Sequence, residues 1–141
     1  MIKKILSIAA IVLTFASVAS PDPQNGFIAT ISAGTAVRLI SNPSKANPVM
    51  ANSLFIEPLH GGTGLVYVLY APPDVTCTNG GAGTTFVAEL APATSTAPGQ
   101  SFTFPSNGTA AAEASGTDIR SWCIDGSHTG DTVAVSWNLR N

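Results

Sequence analysis

Residues 119–139 read IRSWCIDGSHTGDTVAVSWNL, and this stretch carries the clearest secondary-structure signal in the chain. Between positions 132 and 139, apolar residues alternate with small or polar ones, and Val133, Val135 and Trp137 share one side. A period of two predicts a β-strand with one buried face, so Trp137 is expected in the core. Residues 119–124 predict a second strand, and the turn-forming residues 125–131 predict a hairpin between the two.

The rest of the chain repeats this pattern in shorter pieces. Apolar runs alternate with Gly-, Pro- and Asn-rich clusters at spacings of roughly 8–12 residues, which indicates an all-β domain. The predicted strands cover residues 27–31, 35–40, 53–57, 65–70, 85–90, 101–104, 119–124 and 132–139. About eight short strands of this kind predict a single β-sandwich or jelly roll. Outside the N-terminus, only residues 109–115 (TAAAEAS) have the composition for a turn or two of helix.

The composition is that of one globular domain. The chain has 141 residues, of which 45% are hydrophobic and only 10% are charged, so it is apolar enough to form a core. No lysine follows Lys45. Because nucleic-acid binding requires a basic surface that neutralises phosphates, nucleic acid is excluded as an expected partner.

The N-terminus has the three parts of a secretory signal. Lys3 and Lys4 precede an apolar run, and small residues at positions 17 and 19 favour cleavage after Ala19. Residues 1–19 are therefore predicted to be a signal peptide, residues 20–26 a linker and residues 27–141 the β-sandwich domain. The alternative is a membrane anchor helix, with membrane contact through residues 1–20. The uncharged run of residues 5–20 is shorter than the ~20 residues that span a bilayer, which favours cleavage.

Cys77 and Cys123 are the two cysteines of the chain, and both follow the leader. An even number of cysteines in an exported protein predicts a disulfide between them. The alternative is a pair of buried free thiols that pack as small hydrophobic residues.

The sequence contains no recognisable catalytic or cofactor-binding motif, so the chain is expected to be non-enzymatic and to bind no cofactor. No metal site is expected either, apart from a weak calcium candidate formed by Asp125, Ser127, Thr129 and Asp131. Their oxygen side chains alternate as in a calcium loop, but Ser136 occupies the position that requires a bidentate glutamate.

Aromatic side chains offer a second binding hypothesis, because several exposed rings would form a platform for a sugar. The candidates are Tyr67, Tyr70, Phe104, Trp122 and Trp137. Of these, Trp137 is expected in the core from its register, and Trp122 is less constrained.

Four stretches together resemble small β-sandwich structural proteins of bacteriophage virions, of the decoration or fibre-associated kind. They are AGTAVRL at 33–39, LFIE at 54–57 leading through GTG into LVYV at 65–68, APGQS at 97–101, and DG at 125–126 with GDTV at 130–133. The leader and the cysteine pair depart from that pattern, because tailed-phage virion proteins assemble in the cytoplasm.

The resemblance implies a non-enzymatic virion structural protein that decorates or projects from the particle. The implied partners are other virion structural proteins and further copies of the chain, on the virion surface or on a membrane-associated particle. The alternative is a secreted or cell-surface bacterial binding module, either an adhesin or a carbohydrate-binding domain.

Overall fold

The computed structural model describes residues 24–40, 48–105 and 116–140, which form nine β-strands and one 3-10 turn. The strands are β1 (Gln24–Thr30), β2 (Val37–Arg38), β3 (Met50–Pro58), β4 (Val66–Tyr70), β5 (Thr85–Leu90), β6 (Phe102–Phe104), β7 (Thr117–Asp118), β8 (Trp122–Gly126) and β9 (Thr132–Leu139). The turn spans Ile119–Ser121. This part of the chain contains no α-helix and no helix long and apolar enough to cross a bilayer. The predicted all-β class is confirmed.

The strands form two antiparallel sheets. The first sheet has the order β1-β9-β3-β6, with β7 also paired to β3, and the second has the order β2-β8-β4-β5. The predicted hairpin over residues 119–139 is wrong, because β8 and β9 lie in different sheets and the segment between them crosses from one sheet to the other. Val135 on β9 pairs with Phe27 and Ile56, whereas Ile124 on β8 pairs with Val68. Alternation predicts which face of a strand is buried, but it does not specify the neighbouring strand.

Residues from both sheets form one hydrophobic core. Its buried members are Ile31, Leu39, Leu54, Ile56, Val66, Val68, Leu90, Trp122, Ile124, Val133 and Val135. Each large aliphatic side chain removed from water stabilises the fold by about 1.5–3 kcal/mol, so this cluster is the main source of stability. Val133 and Val135 confirm the predicted buried face of β9, and Trp137 is half-buried against the core.

Most strand bounds differ from the prediction by a few residues, and the structure explains the differences at the start of β1 and β8. β1 begins at Gln24, so the last three residues of the predicted linker pair with Asn138, Trp137 and Ser136 of β9. β8 begins only at Trp122, because the Asp118 carboxylate accepts a hydrogen bond from the backbone N–H of Arg120 and caps the 3-10 turn. The predicted leader or anchor (1–19), linker residues 20–23 and the predicted turn of helix at 109–115 lie outside the described residues.

Candidate functional site

The candidate surface is the outer face of the second sheet. This face is formed by the residues that alternate with the core residues along the same strands. Opposed residues of an antiparallel pair lie on the same face. Asp125, Tyr67 and Glu89 therefore form one row across β8, β4 and β5. Cys123, Leu69 and Phe86 form the neighbouring row.

Part of this face is covered by the loop between β4 and β5, residues 71–84. Cys77 in the loop is joined to Cys123 on β8 by a disulfide with an S–S distance of 1.99 Å. Leu69 and Ala71 are fully buried beside the two sulfurs, and Val75 packs against them. The disulfide thus fixes the loop to the sheet through a second, smaller hydrophobic cluster.

The loop requires glycine where it turns back toward the sheet. Gly83 has a φ of +77°, and a Cβ at this position would lie 3.0 Å from Cγ1 of Val75. A side chain there would be strained by its backbone conformation and would press on Val75. Gly83 therefore allows the end of the glycine-rich segment 77–83 to pack closely against Val75 within the loop that covers the sheet.

Arg38 on β2 holds the start of the same loop. Its Nη1 donates to the carbonyl oxygens of Ala71 (3.1 Å) and Arg120 (2.6 Å). Its Nη2 donates to those of Pro72 (2.8 Å) and Val75. A planar guanidinium can serve all four acceptors because its donors are arranged as a rigid fork. Arg38 therefore joins β2, the loop and the turn before β8.

A shallow cleft opens between β2 and this loop, with a volume of about 350 Å³. It is lined by Ala36, Arg38, Pro73, Asp74, Val75, Thr76 and Cys77. Because the Arg38 guanidinium is hydrogen-bonded to backbone carbonyls, its role at this cleft is to hold the wall of the cleft in place.

The uncovered part of the face presents aromatic surface. The rings of Tyr67 and Phe86 are 6.2 Å apart at an interplanar angle of 53°. Phe86 is 52% exposed, and Val87 beside it is 38% exposed. The exposed Glu89 lies opposite Tyr67 on the edge strand β5. Two aromatic rings next to a carboxylate can stack on the apolar face of a ligand and accept hydrogen bonds from its hydroxyl groups.

The sequence-predicted aromatic platform is divided between the core and this face. Trp122 is 5% exposed and donates from Nε1 to Thr117 Oγ1 at 2.8 Å. Tyr70, Phe102 and Phe104 pack around its indole. Trp137 instead contacts Phe27, with ring centroids 6.0 Å apart.

Of the five predicted residues, Tyr67 is half-exposed beside Phe86 and Tyr70 is 39% exposed beside Trp122, and the more exposed Phe86 was missed. Phe86 lies in the predicted strand 85–90, where adjacent Phe86, Val87 and Ala88 give no alternation that would identify its exposed face.

Of the four calcium candidates, Asp125 lies on β8 and the other three lie between β8 and β9, and the side-chain oxygens of all four accept from backbone N–H groups. Oδ1 of Asp125, which is 2% exposed, accepts from Gly126 N at 2.7 Å. Ser127 Oγ accepts from Leu65 N at 2.8 Å, and Thr129 Oγ1 from Ala33 N at 3.0 Å. These bonds tie three connecting segments together at one end of the molecule. The described residues contain no group of three or more His, Cys, Asp or Glu that could hold a metal ion.

Asp131 completes this arrangement. Its Oδ2 accepts from the N–H groups of Gly64 (2.6 Å) and Thr63 (3.0 Å), and its Oδ1 is 3.0 Å from His128 Nδ1. These contacts, led by the Gly64 N–H, hold the pKa of Asp131 below its ordinary value of 3.8, although partial burial opposes them. The carboxylate is thus ionised at neutral pH and fixes the segment between β3 and β4.

Comparison of the chain with protein-family models, with curated protein sequences and with solved structures finds no match.

Proposed function

We propose that the chain is a non-enzymatic virion structural protein, a β-sandwich that decorates or projects from the particle. One observation carries the proposal: four polar side chains fix loops by binding backbone groups. Arg38, Ser127, Thr129 and Asp131 each bind backbone groups of neighbouring segments. Such a distribution suits a rigid module whose loops must survive exposure to the medium, and it adds to the sequence resemblance described above.

The sandwich arrangement is part of the proposal. Leu54 and Val135 of the first sheet share a core with Val68 and Ile124 of the second sheet. Two sheets that bury one face each against the other account for a common core of this composition. A jelly roll is the alternative arrangement of the same two sheets.

The disulfide supports an exported location. A disulfide forms and persists in oxidising compartments, so Cys77–Cys123 suits a protein that leaves the cytoplasm. The proposed location is the virion surface or a membrane-associated particle, with other virion proteins and further copies of the chain as partners.

The test is mass spectrometry of gradient-purified, protease-washed particles from the source culture. The expected result is peptides of this chain at a fixed ratio to a major capsid protein across the gradient. An N-terminal peptide that starts near Ser20 would identify a cleaved signal, and one that includes Met1 would identify an anchor. Recovery only from the particle-free medium or the envelope fraction would contradict the virion proposal.

The exposed Phe86 beside the half-exposed Tyr67 favours a second function, a secreted or cell-surface carbohydrate-binding module. Aromatic rings with an adjacent carboxylate are suited to stacking on a sugar ring. The test is binding of the labelled protein to an array of glycans, with Phe86→Ser as the disabling variant. Val37→Ser is the matched control, because Val37 is 44% exposed on the edge strand β2 and lies outside the aromatic pair. Binding that Phe86→Ser abolishes and Val37→Ser preserves would support this function, and no binding by the unmodified protein would contradict it.

A further inference from the structure

The two longest edge strands of the molecule differ in how they are protected from pairing. Natural proteins protect exposed edges with charges, prolines, bulges or very short strands. β5 carries Glu89 and a bulge, since Val68 and Leu69 of β4 pair with Ala88 and Phe86 and leave Val87 between them. β1, with the sequence QNGFIAT, has neither charge nor proline, and all seven of its residues pair with β9 in unbroken register. Among the described residues, β9 is its only partner strand.

The backbone groups that β1 directs outward can be identified from its neighbours. Ile31 N donates to Asp131 O at 2.8 Å, and Leu59 N on the other side of β9 donates to Thr132 O at 2.9 Å. Because hydrogen-bonded positions alternate along an antiparallel ladder, the odd-numbered residues of β1 bond to β9. The N–H and C=O groups of Gly26, Ile28 and Thr30 therefore point away from the sheet.

We propose that β1 pairs antiparallel with β1 of a second copy of this chain, around a two-fold axis at Phe27. This register opposes Gly26 to Ile28 of the other copy, and Gln24 to Thr30. It matches outward-directed backbone groups with one another, as a ladder requires, and it uses the full length of β1.

The side chains fit the same register. Ile28 is 67% exposed, more than any other large hydrophobic residue described, and on its own sheet face Gly26 pairs with the small Ser136. In this register Ile28 of each copy lies opposite Gly26 of the other, which has no side chain and lies so close to β9 that a Cβ would be 2.7 Å from the Val135 carbonyl oxygen. Because Ile28 and Gly26 belong to one strand, a two-fold axis satisfies both contacts at once.

The prolines before β1 and the absence of charge within it favour a second copy of the chain as the strand that pairs with β1. Pro21 and Pro23 precede β1 in the sequence, and proline cannot donate to a ladder, so pairing ends near Gln24 in both copies. No charged residue occurs in residues 24–30, and like charges are therefore not opposed when the strand meets its copy. The contact is a narrow strip, so association is weak and depends on concentration. The inference holds for either function proposed above.

The first test is sedimentation velocity of the full chain, expressed for export and purified as the cell processes it, from about 1 µM to 1 mM. The unmodified protein is expected to dimerise in this range. Ile28→Lys is expected to raise the dissociation constant at least tenfold, because it places a charge at the pairing edge. Phe86→Lys is the matched control on β5 and is expected to dimerise normally. A monomer at 1 mM, or a dimer lost in Phe86→Lys and kept in Ile28→Lys, would overturn the proposal.

Disulfide cross-linking tests the register and does not depend on the stability of Ile28→Lys. The Gln24→Cys and Thr30→Cys proteins are purified separately, then mixed at high concentration and oxidised gently. Opposed residues of a hydrogen-bonded pair lie about 5.5 Å apart at Cα, within reach of a disulfide. A covalent dimer is expected from the mixture and not from either protein alone. Cross-linking of each variant with itself at the rate of the mixture would refute the register.

Discussion

Removal of the Cys77–Cys123 disulfide is expected to lower the free energy of unfolding by about 4 kcal/mol. The two cysteines are separated by 46 residues. The entropy of closing a loop of this length corresponds to about 4 kcal/mol at 25 °C, because the cross-link restricts the unfolded chain. Cys123 is fully buried beside Leu69 and Ala71, so loss of its sulfur adds a packing cost on the order of 1 kcal/mol.

The assay is urea denaturation at 25 °C of the Cys77→Ala/Cys123→Ala protein, followed by far-ultraviolet circular dichroism. With a slope of about 2 kcal/mol per molar urea, the midpoint of this double variant is expected to fall by roughly 2.5 M, because it loses both the cross-link and the packing of the sulfurs. The unmodified protein in a reducing agent is the control, since it lacks the bond and keeps both sulfur atoms. It is expected to be slightly more stable than the double variant.

A midpoint within 0.5 M of the oxidised protein, roughly 1 kcal/mol on the same slope, would refute the reasoning. It would mean that the unfolded chain is already compact around this loop, or that the bond strains the fold by as much as it stabilises it.

Three further predictions concern polar contacts. In urea denaturation, Arg38→Met is expected to reduce the free energy of unfolding by about 2–4 kcal/mol. Arg38→Lys is expected to recover less than half of that loss, because one ammonium cannot bridge the four carbonyl oxygens that the guanidinium binds. Full recovery by lysine would contradict the fork arrangement. Trp122→Phe is expected to lower the free energy of unfolding by about 2–3 kcal/mol, since it opens a cavity and removes the hydrogen bond to Thr117. Thermal unfolding measures this loss. An equal loss in Trp137→Phe would contradict the reasoning, because Trp137 is less buried than Trp122. Asp131→Asn is expected to destabilise the protein at pH 7, and the difference in stability is expected to shrink as the pH falls below the unfolded-state pKa. The folded-state pKa of Asp131 lies below the unfolded value, so its contribution is present above about pH 4 and is lost as the pH falls through the folded pKa. Urea midpoints of both proteins measured from pH 2 to 7 check this, and a difference that does not depend on pH would contradict it.

The sequence predicts the strands of this fold far better than it predicts their partners. Thr85–Leu90 and Thr132–Leu139 have the predicted bounds, because alternation and turn-forming residues are local signals. The pairing of β9 with β1 and β3, and not with β8, depends on contacts between distant segments. No local pattern specifies these contacts.

The same reasoning explains which site residues were missed. Phe86 lies on the face of Tyr67 because of the bulge at Val87, and the role of Arg38 depends on carbonyl groups in two distant segments. Both are properties of the folded backbone. Cys77 and Cys123 could be identified because export and an even number of cysteines predict a disulfide without knowledge of the fold.

The different protection of β1 and β5 determines what kind of assembly the chain can form. If both edges were open to pairing, each copy would bind two others and the sheets would extend without limit. The bulge at Val87 and the charge of Glu89 discourage pairing at β5, and the other edge strands described, β2 and β6, are only two and three residues long. Pairing through β1 alone is therefore expected to end at a two-fold dimer. A dimer that closes on itself through β1 leaves other faces of each copy free. Such a face can then bind the particle or a sugar. The proposed dimer leaves the surface of Tyr67 and Phe86 uncovered in both copies.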